Sequence, residues 1–284
     1  MGKIKKSLIV FSIIGLFILY GCTYGINHVI IKSYNINDSQ IPFNFDNIKI
    51  VHFSDLHYKQ TIDFKELHKI VNKINETNPD IVIYTGNIFD KNIELTEKDI
   101  TDIIECFNNI DAKLGKYAIK GSMDKSDKWE TIITNSNFIN LNDTFDYIYN
   151  EDYTPVLLTG LSPNEITKET IDNKIKNSYS EINTYKETNK QEIFSILMMH
   201  EPDNIDDIDT SKYNLVLAGS SLNRQVNIPI VNNLFKTKGS IKYYKNYYNI
   251  NNTHMYISSG LGTNNINFRI FNNPSINIYT LHNK

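Results

Sequence analysis

Arginine, cysteine and tryptophan are scarce in this sequence. Among 284 residues there are two cysteines and one tryptophan, and arginine occurs only at Arg224 and Arg269. Two cysteines exclude a disulfide framework. A formal net charge of −3 gives no electrostatic reason to expect a nucleic-acid partner. With 40% hydrophobic and 21% charged residues, the composition is that of an ordinary globular protein with one large or two small domains.

Charge is also absent from the stretch 7–27, which is apolar throughout. Its length is about the 20 residues that a helix needs to cross a bilayer. Lys3, Lys5 and Lys6 precede it, which favours a cytoplasmic N-terminus and an extracytoplasmic C-terminal bulk. Two alternatives stay open. Lipoprotein processing would occur at Cys22, where the preceding Tyr20 is a poor fit, and a cleaved signal peptide would need a small-residue site that is absent.

These features predict the division of the chain into domains. We expect a cytoplasmic basic tip at residues 1–6, a transmembrane anchor at 7–27 and a linker at 28–46. A single folded domain would occupy residues 47–284 on the extracytoplasmic side of the cell membrane.

The first half of this domain alternates between two hydrophobic periods. Short apolar runs at 48–53, 80–86 and 116–121 predict buried strands. The segments 63–77 and 96–110 have apolar residues at helical spacing. This βαβαβ order implies a parallel sheet with right-handed crossovers, with functional residues at the carboxyl ends of its strands.

The second half carries more strands with shorter connections. Hairpin character is expected at 240–259 and 275–283, and the polar segment 168–191 predicts an exposed helix followed by a loop. The whole is predicted to be an α/β (α+β sandwich) fold with two facing mixed β-sheets flanked by helices, and with one N-terminal transmembrane helix.

Polar clusters end the predicted strands in an order that resembles the calcineurin-like metallophosphoesterases, in particular their membrane-anchored bacterial branch. The resemblance runs from about residue 41 to the C-terminus. It rests on these motifs of the sequence: Asp55-Leu56-His57, Gly86-Asn87-Ile88-Phe89-Asp90, Gly121-Ser122-Met123-Asp124, His200-Glu201-Pro202, Gly219-Ser220-Ser221-Leu222-Asn223-Arg224-Gln225, and the late Gly260-Leu261-Gly262 with Arg269 and Pro274 downstream.

The resemblance implies two metal ions that activate a bridging water. The first ion would be held at Asp55, His57, Asn87 and Leu222, and the second at Asn87, Ser122, His200 and Ser220. Several of these residue types are poor ligands. Asn87 stands in place of a bridging Asp, Leu222 cannot bind a metal, and Met123 replaces the His that assists the leaving group.

The sequence therefore disfavours a dinuclear centre. It predicts at most one weakly held divalent ion (Mn, Fe or Zn), with Asp55, His57, Asn87 and His200 as the candidate ligands. No residue is predicted to be catalytic.

Three further residues form the predicted residual pocket. Asp90 either belongs to the site or caps the next segment, and Asp124 has lost the His that it would brace. Arg224 either binds phosphate or is a solvated loop residue. Asp55 and His57 also have structural interpretations, namely a carboxylate that accepts backbone N–H groups in the turn after its own strand and a hydrogen-bonded pocket histidine.

Three functional hypotheses follow. The first is a membrane-anchored pseudo-phosphoesterase that binds a protein partner, a lipid head group or a phosphate-ester ligand. The second is an active hydrolase with a mononuclear or rearranged site, acting on phosphate esters that could be lipid-linked. The third is a structural envelope protein whose former pocket is filled by Leu222 and Met123.

Overall fold

The N-terminal helix leads directly into the folded domain. The computed structural model describes residues 2–151, 154–163, 167–228 and 236–284. Helix α1 covers Gly2–Cys22 and a short helix α2 covers Tyr24–Asn27. The stretch Lys5–Asn27 is long and apolar enough to cross a membrane, and little of it is buried against the domain.

Two six-stranded sheets form the core of the domain. The first has the order β1-β12-β2-β3-β4-β5, with strands at Ile30–Asn37, Ser275–His282, Lys49–Phe53, Ile81–Tyr84, Lys116–Ala118 and Ile139–Asn140 respectively. The second has the order β10-β11-β9-β8-β7-β6, with strands at Tyr247–Ile250, Thr253–Ile257, Leu215–Ala218, Ser195–Met199, Val156–Leu161 and Thr144–Ile148.

Amphipathic helices cover the outer faces of the sheets. They are α3 (Phe64–Asn75), α4 (Glu97–Asn108), α5 (Ser126–Asn135) and α6 (Lys168–Asn189). The Asp63 side chain caps α3 and a Thr96–Asp99 capping box starts α4, as expected for orphan N–H groups at helix starts. The sheets face each other across an apolar layer that includes Ile50, Ile83 and Leu217. The predicted two-sheet sandwich with flanking helices is confirmed.

The segment expected to be a linker is part of the first sheet. β1 begins three residues after α2 and pairs in parallel with β12 along its whole length, from Ile30 opposite Ser275 to Asn37 opposite His282. The linker prediction was wrong for a simple reason. A strand at a sheet edge is half exposed, so its alternation of apolar and polar residues resembled a polar connection.

Of the two segments predicted to form hairpins, the segment 240–259 does so. β10 and β11 form an antiparallel pair around Asn251 and Asn252, which have the left-handed φ values of 50° and 72° that such turns require. The segment 275–283 forms no hairpin of its own. Its strand β12 lies between β1 and β2, so its partners come from the start of the chain.

The strand directions place the functional edge of the domain beside the helix. β2, β3 and β4 are mutually parallel, whereas β12 runs antiparallel to β2. The carboxyl ends of β2 to β4 therefore lie at the edge where β1 and β12 begin. That is also the edge from which α2 leads back to α1.

Candidate functional site

Asp55 lies at the centre of the site, directly after β2. It is fully buried, and its φ of 53° falls in the left-handed region. Oδ2 accepts the Ser54 hydroxyl at 2.5 Å and the Ser220 backbone N–H at 3.0 Å. Ser220 follows β9 in the opposite sheet, so the carboxylate joins the two sheets. The expectation that Asp55 satisfies the turn after its own strand was wrong in this respect.

Asn87 faces the other oxygen of that carboxylate. Its Nδ2 donates to Asp55 Oδ1 at 3.0 Å, and its Oδ1 accepts the Met123 backbone N–H at 3.0 Å. These two partners fix the amide orientation, because a backbone N–H can only donate and a carboxylate can only accept. The amide therefore presents N–H, and not oxygen, to Asp55.

Two imidazoles converge on the same oxygen. His57 Nδ1 lies 2.5 Å from Asp90 Oδ1, and His57 Nε2 lies 3.8 Å from Asp55 Oδ1. His200 Nδ1 lies 2.6 Å from the Thr85 carbonyl oxygen, and its Nε2 is 3.9 Å from Asp55 Oδ1. A carbonyl and a carboxylate accept, so each Nδ1 carries a proton and each Nε2 is the ring nitrogen that faces Asp55.

His200 Nε2 is notable because it is buried and, within the described part of the chain, has no hydrogen-bond partner. The Asp90 side chain contacts His57 Nδ1. Its membership of the predicted residual pocket stays a prediction.

The substituted positions fill the remaining space. Leu222 is buried at 2% exposure, and a Cβ atom added to Gly260 would fall 2.2 Å from Leu222 Cδ2 and 3.0 Å from Asp55 Cβ. An apolar side chain therefore lies where the resemblance places a ligand. Ser122 and Met123 are half-buried. The site is thus filled on the Leu222 side and open on the Ser122 side.

The loop after β9 has an unusual backbone. Ser220, Leu222, Asn223 and Arg224 have φ values of 63°, 47°, 46° and 55°. Each such non-glycine residue costs about 1–2 kcal/mol relative to right-handed conformations. Strain of this kind clusters at active sites, ligand clamps and switch regions.

Asp124 organises the loop after β3 from behind. Its carboxylate accepts the backbone N–H groups of Asn87, Ile88 and Gly121 at 2.8 Å each. Burial raises the pKa of Asp124 to about 6, although these backbone hydrogen bonds act in the opposite direction. Asp124 thus keeps a positioning role that does not need the missing His.

Arg269 is the functional residue whose role the sequence did not reveal. It is completely buried, and its guanidinium donates to the carbonyl oxygens of Ser259 (2.9 Å), Gly260 (3.3 Å) and Gly262 (2.5 Å). Burial lowers its pKa to about 9, while the nearby Asp55 carboxylate raises it. The sequence signals were the rarity of arginine in the chain and the place of Arg269 downstream of Gly260-Leu261-Gly262.

Arg224 was expected either to bind phosphate or to be solvated, and the second alternative was wrong. It is 6% exposed, and its guanidinium carbon lies 3.4 Å from the centroid of the Tyr244 ring. Stacking on an aromatic ring is a favourable arrangement for Arg. Arg224 therefore packs against Tyr244 and is not a solvated loop residue.

The residues present do not fit a dinuclear metal centre. Both oxygens of Asp55 face hydrogen-bond donors, Asn87 offers N–H, and Leu222 offers no ligand atom. No group of three or more His, Cys, Asp or Glu residues in the described ranges could hold a metal ion. The candidate ligands Asp55, His57, Asn87 and His200 are brought together as a cluster, with Asn87 hydrogen-bonded to Asp55 and the two imidazole Nε2 atoms 3.8 and 3.9 Å from the same carboxylate oxygen.

An open cleft adjoins the cluster. It has a volume of about 530 Å³ and is lined by Ser122, Asp124, Lys91, Lys120 and Lys238, among others. Three ammonium groups against two carboxylates, those of Asp124 and Glu201, make its rim suited to an anionic ligand. A cleft of this size is in the range of small-molecule sites.

A carboxylate and imidazoles at the carboxyl ends of two facing sheets define a metallophosphoesterase type of site. The family model "Calcineurin-like phosphoesterase" matches residues 48–244, and the protein belongs to this family. The family generally uses divalent metals, but nothing in the described residues indicates a specific one.

Two bacterial relatives extend this finding over most of the chain. The metallophosphoesterase YkuE of Bacillus subtilis (strain 168) is 28% identical over 254 residues, which cover 87% of this chain and 84% of YkuE. The metallophosphoesterase Cj0846 of Campylobacter jejuni is 26% identical, with 99% of this chain and 70% of the relative covered.

Two further similarities are more distant. A transmembrane protein with a metallophosphoesterase domain from Danio rerio is 23% identical over 43% of this chain and 27% of its own length. The crystal structure of TT1561 of Thermus thermophilus shares 14% identity at a TM-score of 0.49, covering 75% of this chain and 90% of TT1561.

Proposed function

We propose that this protein is a membrane-anchored pseudo-phosphoesterase, which keeps the family fold and acts by binding. The observation that carries the proposal is the Asn87–Asp55 hydrogen bond. In that contact a neutral amide donates to the carboxylate oxygen that would otherwise be available to a cation. A buried carboxylate that is satisfied in this way is stable without a metal ion.

The ligand class follows from the open cleft beside the cluster. Lys91, Lys120 and Lys238 supply donors for phosphate oxygens, while Met123 provides no proton for a leaving group. The cleft is suited to holding a phosphate ester or a phosphorylated head group without cleaving it. The alternative ligand for the same lysine-rich rim is a protein partner.

The test is an assay of the detergent-solubilised full chain with Mn²⁺ against an aryl phosphate and an aryl phosphodiester. We expect no turnover above that of the Asp55→Ala variant. Turnover that Asp55→Ala abolishes would refute the proposal. Shorter fragments must begin before Ile30, because a start at Asp38 would remove β1 from its sheet.

One observation supports a second candidate, an active hydrolase with a mononuclear or rearranged site. The unpartnered Nε2 of His200 and the Nε2 of His57 both lie close to Asp55 Oδ1. Imidazole nitrogen and carboxylate oxygen are ligand atoms that Mn, Fe and Zn bind. Metal analysis of protein purified without chelator discriminates the two, since about one equivalent of bound metal would favour the hydrolase.

Membrane anchoring is the second part of the proposal. The apolar stretch Lys5–Asn27 and the basic residues before it support a single-pass protein with its domain outside the cytoplasm. We expect the protein to stay in the membrane fraction after alkaline carbonate washing and to be digested by protease added outside intact cells. Release by carbonate would refute anchoring, and protection from protease would refute the orientation.

A further inference from the structure

A cavity of the domain lies at the foot of the N-terminal helix. It has a volume of about 610 Å³ and is lined by Ile30, at the start of β1, and by Phe271. Phe271 packs edge to face against Phe17 of α1, with ring centroids 6.0 Å apart. Nearby, Asn273 Nδ2 donates to the His28 carbonyl oxygen at 3.3 Å. If α1 spans the membrane, the cavity opens at the bilayer surface.

This cavity is separate from the Asp55 cluster. Leu222 lines a small cavity of about 90 Å³ together with Ser221 and Gln225, whereas the next residue, Asn223, lines the large one. The loop after β9 therefore lies between the two. The lysine-rich cleft beside Ser122 is a third, distinct cavity.

Lys32 and Lys245 line the large cavity, and two arginines contact residues that line it or that bind Lys32. Lys32 lines it and donates from Nζ to Ser259 Oγ at 2.6 Å and to Asn246 Oδ1 at 3.0 Å. The backbone oxygen of the same Ser259 accepts from Arg269. Burial, and then the positive charge of Arg269, lower the pKa of Lys32 to about 8. The two cations thus destabilise each other in the absence of an anion.

A third cation, Arg224, has one N–H group without a hydrogen-bond partner among the described residues. Arg224 stacks on Tyr244, whose side chain lines the cavity. Its Nε is buried and has no hydrogen-bond partner among the described residues. A buried donor in this state costs about 1–3 kcal/mol.

The lining is suited to phosphate oxygens at one end and to acyl or glycerol carbons at the other. Five asparagines and Lys245 line the cavity in addition to Lys32, while Tyr247 and Phe271 are 41% and 59% exposed. No carboxylate is among the described residues that line this cavity. A polar, cation-rich end with exposed aromatic rings beside the helix is the pattern of a lipid head-group site.

We propose that this cavity binds the phosphate head group of an anionic membrane lipid, with Lys32 as the central cation. The proposal rests on the proposed membrane anchoring and is independent of whether the Asp55 cluster is active. Asn246 and Ser259 orient the ammonium group, and the aromatic rings contact the upper part of the lipid. The lipid thereby offsets the charge of Lys32 and Arg269.

The experiment uses the full-length protein in detergent micelles, with lipid adducts measured by native mass spectrometry. Phosphatidylglycerol and phosphatidylcholine are compared at equal concentration for the wild type, Lys32→Gln and the control Lys65→Gln. Lys65 is exposed on α3, so its variant makes the same charge change away from the cavity. We expect a preference for phosphatidylglycerol that Lys32→Gln weakens about tenfold, as for loss of one charged hydrogen bond, and that Lys65→Gln leaves unchanged.

A second variant distinguishes the loss of the binding site from misfolding of the Lys32→Gln protein. Asn246→Asp keeps the size of the side chain and its contact with Lys32, but it neutralises the ammonium group, so it should also weaken phosphatidylglycerol binding about tenfold. Equal binding of both lipids, or full binding by both cavity variants, would overturn the proposal. Displacement of the lipid by millimolar inorganic phosphate would overturn the assignment to a lipid and indicate a soluble phosphate ester. Carbonate extraction of Lys32→Gln separates a loss of this site from a loss of anchoring.

Discussion

The side-chain amide of Asn87 donates to the carboxylate of Asp55 at 3.0 Å, and its orientation is fixed by the Met123 N–H group on its other side. A single substitution of oxygen by nitrogen thereby converts an acceptor into a donor at the centre of the site. The site is stabilised by hydrogen bonds where its family relatives are expected to use metal. Each of the following predictions examines one part of this arrangement.

The Asn87→Asp variant should need a bound cation for full stability. It would place two carboxylates face to face in a buried site, and we expect a loss of about 3 kcal/mol in the free energy of unfolding without metal. Mn²⁺ should raise the midpoint of thermal unfolding of this variant and leave the wild type unchanged. The fluorescence of the single, buried Trp129 reports the transition. Asn72→Asp on the exposed face of α3 is the control, and a metal response in the wild type would contradict the prediction.

Leu222 should behave as a core residue. Its side chain is buried against Gly260 beside Asp55, so Leu222→Ala is expected to cost about 2–5 kcal/mol. Leu222→Gly loses the same contacts but relieves the left-handed backbone at φ 47°. It should therefore be more stable than the Ala variant by about 1 kcal/mol. Chemical denaturation of the three proteins measures both differences, and a neutral Ala variant would show that Leu222 does not fill the site.

Asp124 should make stability depend on pH. Its pKa is raised from 3.8 to about 6 by burial, so the folded state holds the proton more tightly than the unfolded state. The stability that this group contributes is therefore complete below about pH 4 and is lost as the pH rises through 6. At about 1.4 kcal/mol per pKa unit, the loss is on the order of 3 kcal/mol.

Asp124→Asn should flatten that pH dependence. It should also destabilise the protein by about 2 kcal/mol at acidic pH, because an amide cannot accept all the backbone N–H groups that the carboxyl group faces. Unfolding midpoints measured between pH 4 and 7 test this, with Asp127→Asn at the exposed start of α5 as the control. An unchanged slope in Asp124→Asn would assign the pH dependence to another group.

Arg269 and Arg224 should differ in how much stability the protein loses when each is replaced by lysine. Arg269 donates to three carbonyl oxygens with a planar fork, which an ammonium group cannot reproduce, so Arg269→Lys should cost about 3 kcal/mol. Arg224 contributes mainly its stacking on Tyr244, and Arg224→Lys should cost about 1 kcal/mol. Thermal unfolding of both variants gives the comparison. Equal costs would show that the carbonyl contacts of Arg269 are dispensable.

Much of the fold was accessible from the sequence because periodicity and strand-end clusters are local signals. The strands at Lys49–Phe53 and Ile81–Tyr84 and the two helices around them lie where the pattern predicted them. Strand β1 could not be predicted from the sequence. Its partner β12 is more than two hundred residues away, and only that pairing makes it a strand. The candidate ligands Asp55, His57, Asn87 and His200 lie near one another, because each follows the carboxyl end of a strand and the two sheets face each other.

The environment of single side chains was less predictable. Whether Arg224 was exposed, and whether Arg269 was near Asp55, depended on loops from distant parts of the chain. Which atom of Asn87 faced Asp55 depended on the Met123 N–H group, and no sequence pattern encodes such a contact. The metal content, the partner and the orientation in the membrane stay predictions.

The direct passage from α2 into β1 has a consequence for how this protein would meet its ligands. Only two residues separate the end of the helix at Asn27 from the first sheet residue at Ile30, and the Arg269 backbone N–H donates to the Gly21 carbonyl oxygen at 3.0 Å, which ties the end of α1 to the domain. With the helix embedded, the domain would be held at one height and one tilt, with the carboxyl ends of its strands towards the lipid. Its search for a ligand would then be a two-dimensional one, governed by lateral diffusion and surface density more than by concentration in the surrounding solution.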